Sequence, residues 1–250
     1  MRQVKSKQKI EQKLTIIIPC YNEEKTIELV LNKVLSIKEV SQVIVVDDCS
    51  TDNSFRIISS FKDKRVCSIR NERNLGKGSS IQRAQPLVTG NITIIQDADL
   101  EYDPTEYAKL TLPINLGLAD VVYGSRFQTS SMRRIVYFWH YLGNKILTTI
   151  SNSFTNLNLS DMETCHKAIK SELFKSINLK EKRFGFEPEI TSKLANRRAR
   201  FYEVSIAYYG RTYEEGKKIG VKDGFRAVWC AFRYCRFFDR ESRSYRRRLK

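Results

Sequence analysis

Apolar positions along the chain follow two rhythms. The runs Leu14-Thr15-Ile16-Ile17-Ile18, Val43-Ile44-Val45-Val46, Val66-Cys67-Ser68-Ile69, Asn91-Ile92-Thr93-Ile94-Ile95 and Asp120-Val121-Val122-Tyr123-Gly124 are rich in β-branched residues. Each is too short for a helix and predicts a strand, the first stopped by Pro19. Between them the spacing becomes helical. Asn22-Glu23-Glu24 predicts a helix opening, with Ile27, Val30, Leu31, Val34 and Leu35 on one face. Asp52-Asn53-Ser54 predicts a cap for a helix with Phe55, Ile58 and Phe61 inward. Gly78 to Val88 reads as a helix kinked or ended near Pro86, and another starts near Pro104. Strands alternating with helices predict an α/β fold, a mostly parallel sheet with helices on both faces.

The second half is less regular. The run from Arg133 to Leu142 is dense in apolar and aromatic residues and reads either as a core helix or as a helix lying at a bilayer interface. Toward the C-terminus Phe225, Val228, Trp229, Phe232, Tyr234, Phe237 and Phe238 interleave with Arg226, Arg233, Arg236 and Arg240. A frayed terminus is one reading. Docking on an anionic membrane surface is the other, and the aromatic content favours it.

Charge strengthens that choice. The 250 residues carry a formal net charge of +16, and nine Lys/Arg oppose two acidic residues between Gly224 and Lys250. Such an excess points to nucleic acid, an acidic membrane or phosphorylated substrates. No stretch reaches the ~18 consecutive apolar residues of a membrane span, and the basic N-terminus lacks the apolar core of a secretory signal. Six scattered cysteines without zinc spacing read as reduced thiols of an intracellular protein.

Polar residues gather just after the predicted strands: Tyr21-Asn22-Glu23, Asp47-Asp48, Asp97-Ala98-Asp99 and Ser125-Arg126. In a parallel sheet these ends share one edge, so separate segments converge on one site. Like charges one residue apart, as in Asp97 and Asp99, need a reason to coexist. A divalent cation with hard oxygen ligands, Mg²⁺ or Mn²⁺ on a diphosphate, supplies one; a solvated acidic turn is the alternative.

The series Ile18-Pro19-Cys20-Tyr21-Asn22-Glu23, Val46-Asp47-Asp48-Cys49-Ser50-Thr51-Asp52, Asn74-Leu75-Gly76-Lys77-Gly78 and Asp97-Ala98-Asp99 resembles family-two glycosyltransferases of the GT-A fold, which use nucleotide-diphosphate sugars. Gly124-Ser125-Arg126, Ser160 to Cys165 and Tyr209 to Lys218 are similar to the polyprenyl-phosphate branch, which includes dolichol-phosphate mannosyltransferases. Glu101 stands where many of those mannosyltransferases carry glutamine.

The resemblance implies a GT-A domain over residues 14–215, between a basic extension (1–13) and a basic aromatic tail (216–250). It implies an inverting transfer of a hexose from a UDP- or GDP-sugar to a polyprenyl phosphate, by a cytoplasmic protein peripherally associated with the membrane. Pro19, Tyr21 and Glu23 would hold the nucleoside. Asp48 or Asp47 would accept from base or ribose, or else cap the turn. Lys77 would reach a phosphate, Asp97-Ala98-Asp99 would line the donor, and Asp97 and Asp99 would hold the metal. Arg126 and Arg211 would grip donor or acceptor phosphates, as Lys217 and Lys218 could. Asp161 would take a proton from a hydroxyl acceptor; a phosphate acceptor, with its second pKa near ~6, needs none taken, and Asp161 would then position or cap. Glu187, with Glu189, belongs to an acceptor pocket or simply to a helix start. Two rivals remain: transfer to a saccharide or protein hydroxyl, and a non-catalytic nucleic-acid-binding protein. The latter lacks any helix-turn-helix, RNP or zinc motif, and no nucleic-acid partner is expected.

Overall fold

In a computed structural model the chain is described over residues 12–128, 134, 135, 137–211, 221–235 and 238. The strands are β1 (Leu14–Cys20), β2 (Val40–Asp47), β3 (Val66–Arg70), β4 (Ile92–Ile95), β5 (Val121–Ser125), β6 (Lys167–Lys170) and β7 (Phe201–Ser205). They form one sheet in the order β3-β2-β1-β4-β6-β5-β7, with the two-aspartate strand β4 in the middle. Every pairing is parallel except those of β6, which runs antiparallel to both β4 and β5.

The helices are α1 (Ile27–Leu35), α2 (Ser54–Ser60), α3 (Lys77–Ala84), α4 (Tyr107–Asn115), α5 (Phe138–Thr155), α6 (Ser171–Lys175), α7 (Phe186–Asn196) and α8 (Val221–Arg233). Alternate strand residues point to opposite faces. Ile17, Ile44, Val46, Ile95 and Tyr123 pack with Ile81 of α3, Phe174 of α6 and Ile190 and Leu194 of α7. Ile16, Ile18, Val43, Val45 and Val122 pack with Val30 and Leu31 of α1, Ile58 of α2 and Leu110 of α4. Both faces are therefore covered, which is why the strands read as unbroken apolar runs rather than alternating ones. Helices α5 and α8 pack on each other and on α7.

Several expected boundaries move. Asn22-Glu23-Glu24 does not open a helix: Asn22 has φ +53°, and α1 begins only at Ile27. The acidic residues there are used by the neighbouring turn instead. Helix α3 stops at Ala84 and a 3₁₀ turn, Gln85–Leu87, carries Pro86, as the missing N–H of proline requires. The aromatic start of α5 is not core: Phe138 and Trp139 are 65% and 77% exposed. Among the described residues no helix is long and apolar enough to cross a membrane.

Candidate active site

β1 pairs with β2 on one side and β4 on the other, so the segments leaving β1 and β4 open a crevice at their C-terminal ends. The turns there bind one another. Asn22 Oδ1 accepts from the Thr51 amide (2.8 Å), and the Asn22 amide donates to Ser50 Oγ (3.0 Å). The Glu23 and Glu24 amides donate to Ser54 Oγ (2.8 Å) and Asp52 Oδ2 (3.1 Å). Ser50, Asp52 and Ser54 thus hold the Glu23 turn in place, while Pro19 and Tyr21 stay partly exposed beside it.

The aspartates after β2 divide their work. Asp48 accepts from Asn71 Nδ2 (2.7 Å) and from the amides of Leu75 (3.0 Å) and Gly76 (2.6 Å), fixing the glycine loop before α3. That uses three of a carboxylate's roughly four acceptor positions. Asp47 is fully buried; its Oδ2 meets Arg70 Nε at 3.2 Å, and Oδ1 has no hydrogen-bond partner among the described residues.

Lys77, the first residue of α3, bridges Asp97 Oδ1 (2.9 Å) and Glu187 Oε1 (3.0 Å). Glu187 continues to Lys167 Nζ at 2.8 Å, beneath the crevice. Burial works against ionising Asp97, but Lys77 outweighs it and holds the carboxyl below its usual range. On the other side Arg211 Nη2 reaches Glu23 Oε2 (2.9 Å) and Asp99 Oδ2 (3.1 Å). Its amide donates to Glu101 Oε1 (2.8 Å), whose Oε2 accepts from the Tyr208 hydroxyl (2.8 Å). Ala98 is buried between the aspartates, and its carbonyl accepts from Thr26 Oγ1 at 3.0 Å, anchoring the start of α1.

Arg126 and Asp161 form a closed buried fork: Nε to Oδ2 at 2.6 Å, Nη2 to Oδ1 at 2.7 Å, and the Arg126 amide to Oδ2 at 3.1 Å. Asn144 Nδ2 adds a fourth bond at 3.3 Å. Burial opposes the Asp161 charge, yet Arg126 holds the carboxyl below its usual range. Two residues on, Glu163 is partly buried with no partner at Oε1 among the described residues. Burial, helped by Glu187, lifts its carboxyl to about 7. Lys217 and Lys218 lie outside the described residues.

The donor set at Asp97 and Asp99 fits a hard divalent cation. Two carboxylates project at the end of one strand, and no cluster of three metal-ligating side chains occurs among the described residues. That number suits Mg²⁺ or Mn²⁺, which take one or two carboxylates and complete their shell with phosphate and water.

A family model described as glycosyl transferase family 2 matches residues 15–177, which span β1 to β6 and hold the strand ends that carry Glu23, Asp97, Asp99 and Arg126. The chain belongs to glycosyl transferase family 2. Within it, the undecaprenyl-phosphate 4-deoxy-4-formamido-L-arabinose transferase of Proteus mirabilis is 26% identical over 212 residues; the match covers 82% of this chain and 62% of that protein. The chain thus spans less than two thirds of that relative's length. The UDP-N-acetylglucosamine–dolichyl-phosphate N-acetylglucosaminyltransferase of Methanococcus voltae is 25% identical, covering 86% of this chain and 92% of its own. Glucosyl-3-phosphoglycerate synthase of Mycobacterium tuberculosis, solved with Mn²⁺, UDP and glucosyl-3-phosphoglycerate, superposes with TM-score 0.70 at 17% identity, covering 90% of this chain and 80% of that one. That likeness shows that the family 2 chain has the GT-A fold.

In this family 2 glycosyltransferase the expected residues fall into two sets of ion pairs, Lys77 with Asp97 and Glu187, and Arg211 with Glu23 and Asp99, joined through the Asp97-Ala98-Asp99 backbone. Arg126 and Asp161 adjoin them through Tyr208, whose ring lies 5.3 Å from the Arg126 guanidinium carbon. Sequence reasoning did not reach Lys167, Glu163 or Tyr208. Glu163 stands inside the Ser160–Cys165 motif, so it was visible as a residue. Its near-neutral carboxyl depends on burial first and on Glu187 second, and both are set by segments distant in sequence.

Proposed function

We propose that the chain is an inverting glycosyltransferase that moves a hexose from a nucleotide diphosphate to a polyprenyl phosphate, peripherally bound at the cytoplasmic face of a membrane. The observation that carries this reading is that Lys77 and Arg211 bind the Asp97 and Asp99 carboxylates, with the Arg126–Asp161 fork adjoining them across Tyr208, at a strand edge that could seat two phosphorylated substrates. Asp97 and Asp99 would hold Mg²⁺ or Mn²⁺, which when bound neutralises charge on the departing diphosphate. Pro19, Tyr21 and Glu23 would line the nucleoside, and Asp48 keeps one acceptor position for its base or ribose. Lys77 moves from Asp97 toward a donor phosphate, and Arg211 from Glu23 toward donor or acceptor. Glu187 holds Lys77 from below rather than meeting the acceptor, and Asp161 keeps the Arg126 fork aimed. A phosphate acceptor is largely ionised at neutral pH, so the closed Arg126–Asp161 pair suits an acceptor that needs no proton removed.

Membrane association is supported by the net charge of +16 and by the exposed aromatic residues Phe138, Trp139, Phe225 and Trp229. The unpaired cysteines suit a reducing compartment. A second reading, transfer to a saccharide or protein hydroxyl, draws on Glu163, whose carboxyl near 7 suits a general base. The deciding experiment pairs UDP- and GDP-sugars with Mn²⁺ and a short polyprenyl phosphate, with Asp99→Asn as control. Metal-dependent transfer to the lipid, lost in the variant, is the expected result. Transfer only to a saccharide favours the second reading, and no turnover with any donor removes both.

A further inference from the structure

The loop that carries Lys77 rests on a segment from much later in the chain. The Ser79 amide donates to the Lys182 carbonyl (3.0 Å), and Gln82 Nε2 donates to the Glu181 carbonyl (2.8 Å). Approach is so close that only glycine fits. Gly76 has φ +96°, and a Cβ there would lie 2.6 Å from the Lys182 carbonyl oxygen; one on Gly78 would overlap the Glu181 carbonyl oxygen.

The segment is itself clamped from behind. Glu181, 7% exposed, turns its carboxylate away from the crevice. Oε2 accepts from Arg226 Nε (3.0 Å) and Nη2 (2.7 Å) on α8, and Oε1 from the hydroxyl of Tyr234, just past the end of α8 (2.8 Å). Its amide donates to Glu189 Oε2 (2.8 Å) on α7, and Lys193 holds the other Glu189 oxygen at 2.7 Å. An unbroken path of hydrogen bonds and van der Waals contact therefore runs from α8 through Glu181 to the glycine loop.

We infer that Glu181 is a positioning residue, through which the C-terminal helix sets the height of the Gly76–Gly78 loop and so aims Lys77 at the donor phosphate. The part concerning the donor rests on the function proposed above; the clamp itself does not. Aspartate is too short to span from the 180–183 backbone to both Arg226 and Tyr234. Glutamine keeps an acceptor but gives up the charge that Arg226 answers.

The test uses the full chain with Arg226→Gln, Tyr234→Phe and Glu181→Gln. The Arg226 side chain is 55% exposed, so its loss leaves the fold intact even where Glu181→Gln does not. Amide exchange of residues 76–80 is followed without ligand, and steady-state kinetics are run against donor and acceptor separately. Exchange at these amides is expected to rise about tenfold in Arg226→Gln, with donor KM up about five- to tenfold and kcat and acceptor KM within about twofold. Arg226→Lys, which restores the charge, recovers most of the loss. Unchanged exchange in Arg226→Gln and Tyr234→Phe overturns the clamp. Equal falls in kcat and rises in both KM values, without recovery by lysine, overturn the positioning role. Raised exchange in a protein whose parent form binds neither UDP- nor GDP-sugar overturns the donor part alone.

Discussion

Replacing Asp161 by asparagine separates positioning from proton transfer. In the parent protein Asp161 is fully buried and takes three bonds from Arg126 and one from Asn144. Asparagine keeps the shape but removes the charge and turns an N–H toward the guanidinium. Breaking one side of a buried ion pair costs about 3–5 kcal/mol, because the remaining charge stays desolvated. For a domain of this size each kcal/mol moves the midpoint by about 2–4 °C, so Tm should fall by roughly 6–20 °C at neutral pH. The sign of the pH dependence follows from the lowered carboxyl of Asp161. Stabilisation is present above the unfolded carboxylate range and is lost as pH falls through the folded value. The gap between variant and parent should therefore close in strong acid. Circular dichroism melts at pH 7 measure the first quantity, and a series from about pH 5 down into strong acid follows the narrowing of the gap. Kinetics complete the test: positioning predicts a lower kcat/KM for acceptor with the shape of the pH profile unchanged. An unchanged Tm would refute the ion-pair argument. A variant of full stability that loses about 10³-fold in kcat together with the pH-dependent limb would identify Asp161 as the proton acceptor after all.

Two further outcomes follow from the same structure. Glu163 has its carboxyl raised from an ordinary 4.5 to about 7, so the folded state loses stability as pH rises through that window. Glu163→Gln should match the parent below it and be about 1–3 kcal/mol more stable at pH 8, measured by urea denaturation; equal stability at pH 8 refutes the assigned environment. On α8, Phe225 and Trp229 are 76% and 51% exposed, one turn apart. Replacing both by serine should weaken sedimentation with anionic vesicles at least about tenfold, while transfer to a water-soluble acceptor is retained; unaltered sedimentation refutes the contact.

Strands β1, β2, β4 and β5 were legible because each is buried on both faces and therefore written as an apolar run; β3, partly exposed at the sheet edge, was legible only from Val66 and Ile69 in a short segment. Strands β6 and β7 were not. Lys167-Ala168-Ile169-Lys170 begins with a lysine that is fully buried, an arrangement tolerable because Glu187 reaches it from α7 and the Met162 and Thr164 carbonyls accept from it. Phe201-Tyr202-Glu203-Val204-Ser205 is the edge strand opposite β3, half exposed and without a continuous pattern. Glu23, Asp97, Asp99 and Arg126 could be singled out because strand ends in a parallel sheet share one edge, and Lys77 through the glycine motif that resembles the family. What each does there could not, since partners such as Glu187 for Lys77 or Asp161 for Arg126 are remote in sequence.

Sequence alone determined the alternation of strands and helices, the two-aspartate strand end, the basic excess and the family motifs, all of which are local patterns of residue type. Only the tertiary structure decided that β6 enters antiparallel. Its register sets Lys167 opposite Ile95 and so brings residues 161–166 to the edge occupied by Asp97. Tertiary structure also placed the basic aromatic helix α8 against Glu181, behind the glycine loop. Register and docking are set by packing between segments distant along the chain, and no local pattern of residues encodes that geometry.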